Sequence, residues 1–240
     1  MGRSWTIEVG HSTRALDRHD VDRAVTAALA AGGNIVELSA LDEADLDPVL
    51  AASRGFARRA FRRLSIHAPA RGRQLPESEL VGRLACAGVP VVVHPEVIGD
   101  PEPWRLLGRR LLVENTDGRT TGRPSTPSDL VEIFAELPDA GFCLDVSHAL
   151  HAGGLEVVDE LAVVLAPRLD QLHAGCGCGC DAEERLGDDV LRALMRVLPR
   201  AGRPLPIIIE RPCSSAAAAM AQVYAVRAAL VASVPARDAA

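Results

Sequence analysis

At 240 residues, with 48% hydrophobic and 24% charged side chains, the chain has a globular composition and enough apolar mass for a large core. The formal net charge of −6 offers no broad cationic surface for nucleic acid, and all 26 basic residues are arginine. The missing lysine excludes Schiff-base, pyridoxal-phosphate and P-loop chemistry, each of which needs a lysine amine.

Eight short β-rich runs follow in chain order. They are Trp5–Val9, Asn34–Leu38, Leu64–His67, Val89–His94, Leu111–Glu114, Gly141–Asp145, Leu169–His173 and Pro206–Glu210. Their interval averages about 30 residues, the length of one βαβ repeat. The runs are nearly continuous in apolar residues, as suits parallel strands covered on both faces. Helical spacing fills the gaps. Asp17–Asp20 precedes the Ala-rich stretch Val21–Ala31, and Ser125–Asp129 reads as an N-cap with proline just inside, before Leu130–Leu137. Ser214 and Ser215 cap a last helix running to about Val234, and Gly32, Gly33 and Gly202 sit where left-handed helix ends are wanted. Eight βα units without a Gly-x-Gly-x-x-Gly after the first strand predict one α/β domain, residues 1–240, folded as a single (β/α)₈ TIM barrel. No stretch approaches the roughly 18 uninterrupted apolar residues of a membrane span. Met1–Trp5 lacks the apolar segment of a secretory leader, so a cytoplasmic protein is expected.

The ionisable residues cluster by register. His67, His94 and His173 end predicted strands, His148 follows the sixth strand by three residues, and His11 follows the first directly. Glu37, Glu114, Asp145 and Glu210 close strands two, five, six and eight. Each alone has an ordinary explanation: a hydrogen-bonded structural histidine, an acid paired with arginine, an aspartate capping the next helix. Those explanations do not account for so many sharing one register. In a (β/α)₈ barrel all C-terminal strand ends meet on one face. Carboxylates gathered there repel one another unless a cation compensates. Mixed imidazole and carboxylate donors suit Zn²⁺, with Mn²⁺ or Fe²⁺ as alternatives. Glu37 and His11 are expected to be accessory, orienting ligands or touching substrate.

The motifs Ile66-His67-Ala68-Pro69, Val93-His94-Pro95, Glu114-Asn115-Thr116-x-Gly118 and Cys143-Leu144-Asp145-x-Ser147-His148 resemble the xylose-isomerase-like TIM barrel superfamily (AP endonuclease family 2), and within it the endonuclease IV branch. The resemblance implies one metal on His67, His94 and Glu114, and a second on Glu114, Asp145, His173 and Glu210. It assigns His148 to a third metal. The pattern then breaks: where the branch supplies further ligands after strand seven, this chain reads His173-Ala-Gly-Cys176-Gly-Cys178-Gly-Cys180-Asp181. Either the third metal is missing or thiolates replace its ligands.

On this reading the chain is a metal-dependent enzyme with Glu114 and Glu210 as catalytic carboxylates. The two-histidine site favours hydrolysis of a phosphoester or phosphodiester through two or three metals. Arg71, Arg73, Arg119 and Arg123 are candidate phosphate clamps. The alternative is a sugar or sugar-phosphate isomerase or epimerase. A multinuclear iron oxidase, suggested only by the cysteine loop, ranks third. The expected partner is a small phosphoester or sugar phosphate, with nucleic acid not favoured and no membrane.

Overall fold

The computed structural model describes residues 8–118, 124–175 and 185–233. Among these, eight parallel strands close into a barrel in sequence order. They are β1 (Val9–Ser12), β2 (Ile35–Ser39), β3 (Arg63–His67), β4 (Val91–Val93), β5 (Leu111–Glu114), β6 (Gly141–Asp145), β7 (Leu169–Ala174) and β8 (Ile207–Ile209). The intervening helices are α1 (Thr13–Leu16), α2 (Val21–Ala30), α3 (Leu46–Arg54), α4 (Phe56–Ala60), α5 (Glu77–Ala85), α6 (Pro101–Trp104), α7 (Pro127–Glu136), α8 (Val146–Val164), α9 (Asp188–Ala201) and α10 (Ala216–Ser233). None of them is long and apolar enough to cross a membrane.

Alternation along each strand sorts side chains between two cores. Val91 and Val93 join the large outer cluster under the helices, whereas Val92 packs with Leu112 and Cys143 in a small separate cluster inside the barrel. Apolar residues on both faces produce the unbroken hydrophobic runs in the sequence. Most caps act where the sequence places them, although of Gly32 and Gly33 only Gly32 is left-handed, at φ 76°. The Asp20 side chain accepts from Arg23 N at the start of α2. Thr126 and Asp129 form a reciprocal capping box at α7, with Pro127 in its first turn. Gly202 ends α9 at φ 63°.

The first strand departs from expectation. β1 spans Val9–Ser12, beginning where the sequence pattern predicts it to end, and residues 5–7 lie outside the described residues. Gly10 sits mid-strand because the backbones of β1 and β2 approach closely there. A Cβ on Gly10 would lie 1.8 Å from the Ile35 carbonyl oxygen. His11 is therefore a strand residue rather than a loop residue.

Candidate metal centre at the barrel mouth

The period of two that builds the strands also aims the polar residues. Asp145 on β6 is in register with His173 on β7, and Cys143 lies between Glu114 and Gln171. These positions share the inner face, as do Ser12, Glu37 and Ser65, aligned across β1, β2 and β3. The barrel's C-terminal half is thus lined with ionisable and hydrogen-bonding groups rather than packed with aliphatic layers.

Two groups of donors converge and could each hold a metal ion: His67, His94 and Glu114, and Glu114, Asp145, His173 and Glu210. Within each group one ligand atom per residue lies within 4.8 Å of all the others. Glu114 belongs to both. Its Oε2 is 3.1 Å from His67 Nε2 and 3.5 Å from His94 Nε2, and its Oε1 is 3.2 Å from His173 Nδ1. The tautomers fit cation binding. His67 Nδ1 lies 3.0 Å from the Ala68 carbonyl, to which it donates, so the Nε2 lone pair points at a carboxylate oxygen. Two acceptors held this close need a proton or a metal ion between them.

The charges are strongly coupled. Burial opposes ionisation of Glu114, yet His173, His67 and His94 around it hold the carboxyl well below its ordinary range. Burial likewise works against a charged His94, but Glu114 and Glu96 raise the ring to about 10. His173 is also raised, against its burial, by Cys143, Glu37, Glu114 and Glu210. Burial pushes Asp145 and Glu210 up, and the Glu114 charge adds to both shifts. Glu210 is the carboxylate nearest solvent, its side chain 24% exposed against 1% for Glu114.

All six residues of the two groups meet at the mouth. His148 stands beside them, its Nδ1 2.9 Å from the Asn115 carbonyl and 3.5 Å from Asp145 Oδ2. It joins neither group, and no third group is found among the described residues. Cys176, Cys178, Cys180 and Asp181 lie outside the described residues, as do Arg119 and Arg123. Glu37 reaches the centre from beneath, against His173. His11 does not reach it. Its Nε2 donates to Gln222 Oε1 on α10 at 3.2 Å, on the opposite face of β1. Arg73 is engaged locally, its Nη1 donating to the Val97 carbonyl at 2.7 Å, and Arg71 is exposed.

Several contributors are absent from the sequence-level set. Glu96 approaches His94 Nδ1 at 3.4 Å. Asn115 ties β5 to β6, donating to the Asp145 carbonyl and accepting from Asp145 N. Ser65 and Gln171 hydrogen-bond Glu37. Ser65 and Gln171 stand two residues before His67 and His173, so strand alternation alone puts them on the inner face.

Residues 8–230 match the family model described as xylose isomerase-like TIM barrel. No curated protein matches the sequence significantly. Solved structures share the fold at low identity. The D-psicose 3-epimerase of Clostridium cellulolyticum H10 is 12% identical with a TM-score of 0.60, over 95% of this chain and 98% of that one. An L-ribulose 3-epimerase is 13% identical with a TM-score of 0.63, covering 95% of each chain. A sugar phosphate isomerase/epimerase of Parabacteroides distasonis ATCC 8503 is 14% identical with a TM-score of 0.56, over 98% of this chain and 96% of that one. These neighbours overturn the expectation of a phosphoester hydrolase, because they are described as enzymes that rearrange sugars. The expectation rested on His67 and His94. That pair supplies a second group of donors, and donors alone do not specify which bond is attacked.

Proposed function

The chain belongs to the xylose isomerase-like TIM barrel family, and on that premise we propose that it is a divalent-metal-dependent epimerase or isomerase of a small keto sugar. The convergence of Glu114, Asp145, His173 and Glu210 within 4.8 Å at the barrel mouth carries this reading. Three carboxylates and one imidazole favour Mn²⁺, with Zn²⁺ or Fe²⁺ also compatible. A cation held there would polarise a carbonyl and its neighbouring hydroxyl, acidifying the C–H between them.

The chain's own residues supply proton movement and placement. Epimerisation requires a proton to leave one face of the carbon beside the carbonyl and another to arrive at the opposite face. Two carboxylates suffice, one for each face, and Glu114 and Glu210 are the candidates. Burial raises Glu210 above the ordinary carboxyl value, while Glu114 is held below it, so Glu210 is the readier of the two to take up a proton. Asp145 is less free to do so, since its Oδ1 already accepts from Ser147 N and His148 N.

The test is incubation with Mn²⁺ in D₂O and a ketose panel including psicose, tagatose, ribulose and their phosphates. Deuterium at the carbon beside the carbonyl and formation of the epimer or aldose isomer are the expected results. A metal-loaded protein that exchanges no proton of any ketose would defeat the proposal.

A further inference from the structure

Beneath the two donor groups lies a fourth carboxylate, Glu37, which belongs to neither. Glu37 is fully buried in β2, and three side chains converge on its Oε2. Ser65 Oγ donates at 2.9 Å, Gln171 Nε2 donates at 2.7 Å, and His173 Nε2 lies at 3.2 Å. All three partners are themselves buried. A carboxylate sealed from water is costly unless it is paired and hydrogen-bonded. Here the hydrogen bonds aim it at the far nitrogen of the histidine whose near nitrogen, Nδ1, faces Glu114 and Glu210.

We infer that Glu37 is a positioning residue that fixes the ring plane and tautomer of His173, so that Nδ1 presents its lone pair to a divalent cation. Gln171 Nε2 is also 3.0 Å from His173 Nε2, so that nitrogen has both a donor and an acceptor beside it. If Gln171 donated to it, Nδ1 would carry the hydrogen and could not ligate. Ligation through Nδ1 requires the other tautomer, in which Nε2–H donates to Glu37 Oε2. Glu37 thereby favours the ligating tautomer and makes Nδ1 a stronger donor, as second partners of metal-bound histidines do. The Ser65 and Gln171 bonds seat Oε2 of this carboxylate against the His173 ring.

The inference rests on the metal-centre reading of the Glu114, Asp145, His173 and Glu210 group, and its test does not use turnover. Mn²⁺ affinity is read from the free-ion electron paramagnetic resonance signal for wild type, Glu37→Gln, His173→Ala and the double variant. Glu37→Gln should bind Mn²⁺ roughly 10- to 100-fold more weakly. In the His173→Ala background the same change should have no further effect, because Glu37 acts through that ring. Unchanged affinity in Glu37→Gln, or an equal loss with and without His173, overturns the inference. Thermal melts of the metal-free proteins report folding. If Glu37→Gln does not fold, Ser65→Ala is the second probe. It leaves the charge but loosens its seat, and should weaken Mn²⁺ by roughly 3- to 10-fold while unchanged affinity contradicts the role. Normal Mn²⁺ linkage with no ketose exchange would instead defeat only the proposed reaction.

Discussion

Glu114 Oε1 lies 3.2 Å from His173 Nδ1, while its Oε2 lies 3.1 Å from His67 Nε2. One carboxylate thus spans donor groups whose histidines come from strands on different sides of the barrel. Glu114→Gln removes the charge that both groups share. It is expected to reduce bound metal and to lower ketose turnover on the order of 10²–10⁴-fold. His148→Ala, outside both groups, should cost under about tenfold by the same comparison. Metal analysis beside turnover checks this, and the reverse ranking would show that the shared ligand has been misassigned.

His11 gives a pH prediction independent of the metal centre. Burial against α10 lowers its pKa from the ordinary 6.5 to about 4, although the Gln222 hydrogen bond pulls the other way. A depressed histidine stabilises the fold fully above its unfolded value, and that contribution is lost as pH falls from about 6.5 through about 4. The full loss is about 3 kcal/mol. Urea unfolding should therefore show wild-type stability falling across that window and a shallower fall in His11→Asn. Identical acid slopes would mean that His11 is not held neutral by the fold.

Gly10→Ala tests barrel closure. Its Cβ would meet the Ile35 carbonyl oxygen at 1.8 Å, and that atom is backbone, so only a shift of β1 against β2 relieves the clash. The expected loss is about 3 kcal/mol or more, or a drop of roughly 6–12 °C in Tm for a chain of this size. Gly82, where a Cβ meets nothing within 4 Å, is the control. Equal melting of the two alanine variants would show that β1 and β2 do not approach so closely.

The barrel is legible in the sequence because helix signals alternate with apolar runs at one repeat length, and the six-residue centre is legible because its members share strand-end positions. The errors have physical sources. The apolar pattern ends the first strand at Val9, because the close backbone approach that seats Gly10 mid-strand is a tertiary fact. With β1 running to Ser12, alternation puts His11 on the helix side. Glu96 is not legible as a site residue because it lies in the turn after β4, where strand parity gives no guide. Reaction type was least legible, since Glu114, His67 and His94 specify donors rather than a substrate's reactive bond.

Glu210→Gln separates the two halves of the proposed epimerisation. Glu210 is the more exposed of the two and Glu114 is buried, and in the proposed epimerisation each carboxylate serves one face of the substrate carbon. With one proton carrier neutralised, interconversion of the epimers should fall by roughly 10²–10⁴-fold. Proton abstraction from the remaining face needs only Glu114. One epimer should therefore still exchange its proton with D₂O, without inversion, while the other does not. The measurement is proton NMR of each epimer incubated separately with the Mn²⁺-loaded variant, at metal concentrations that restore occupancy. Loss of exchange from both epimers at full occupancy would point to a single carboxylate acting on both faces. Undiminished interconversion would remove Glu210 from the chemistry altogether.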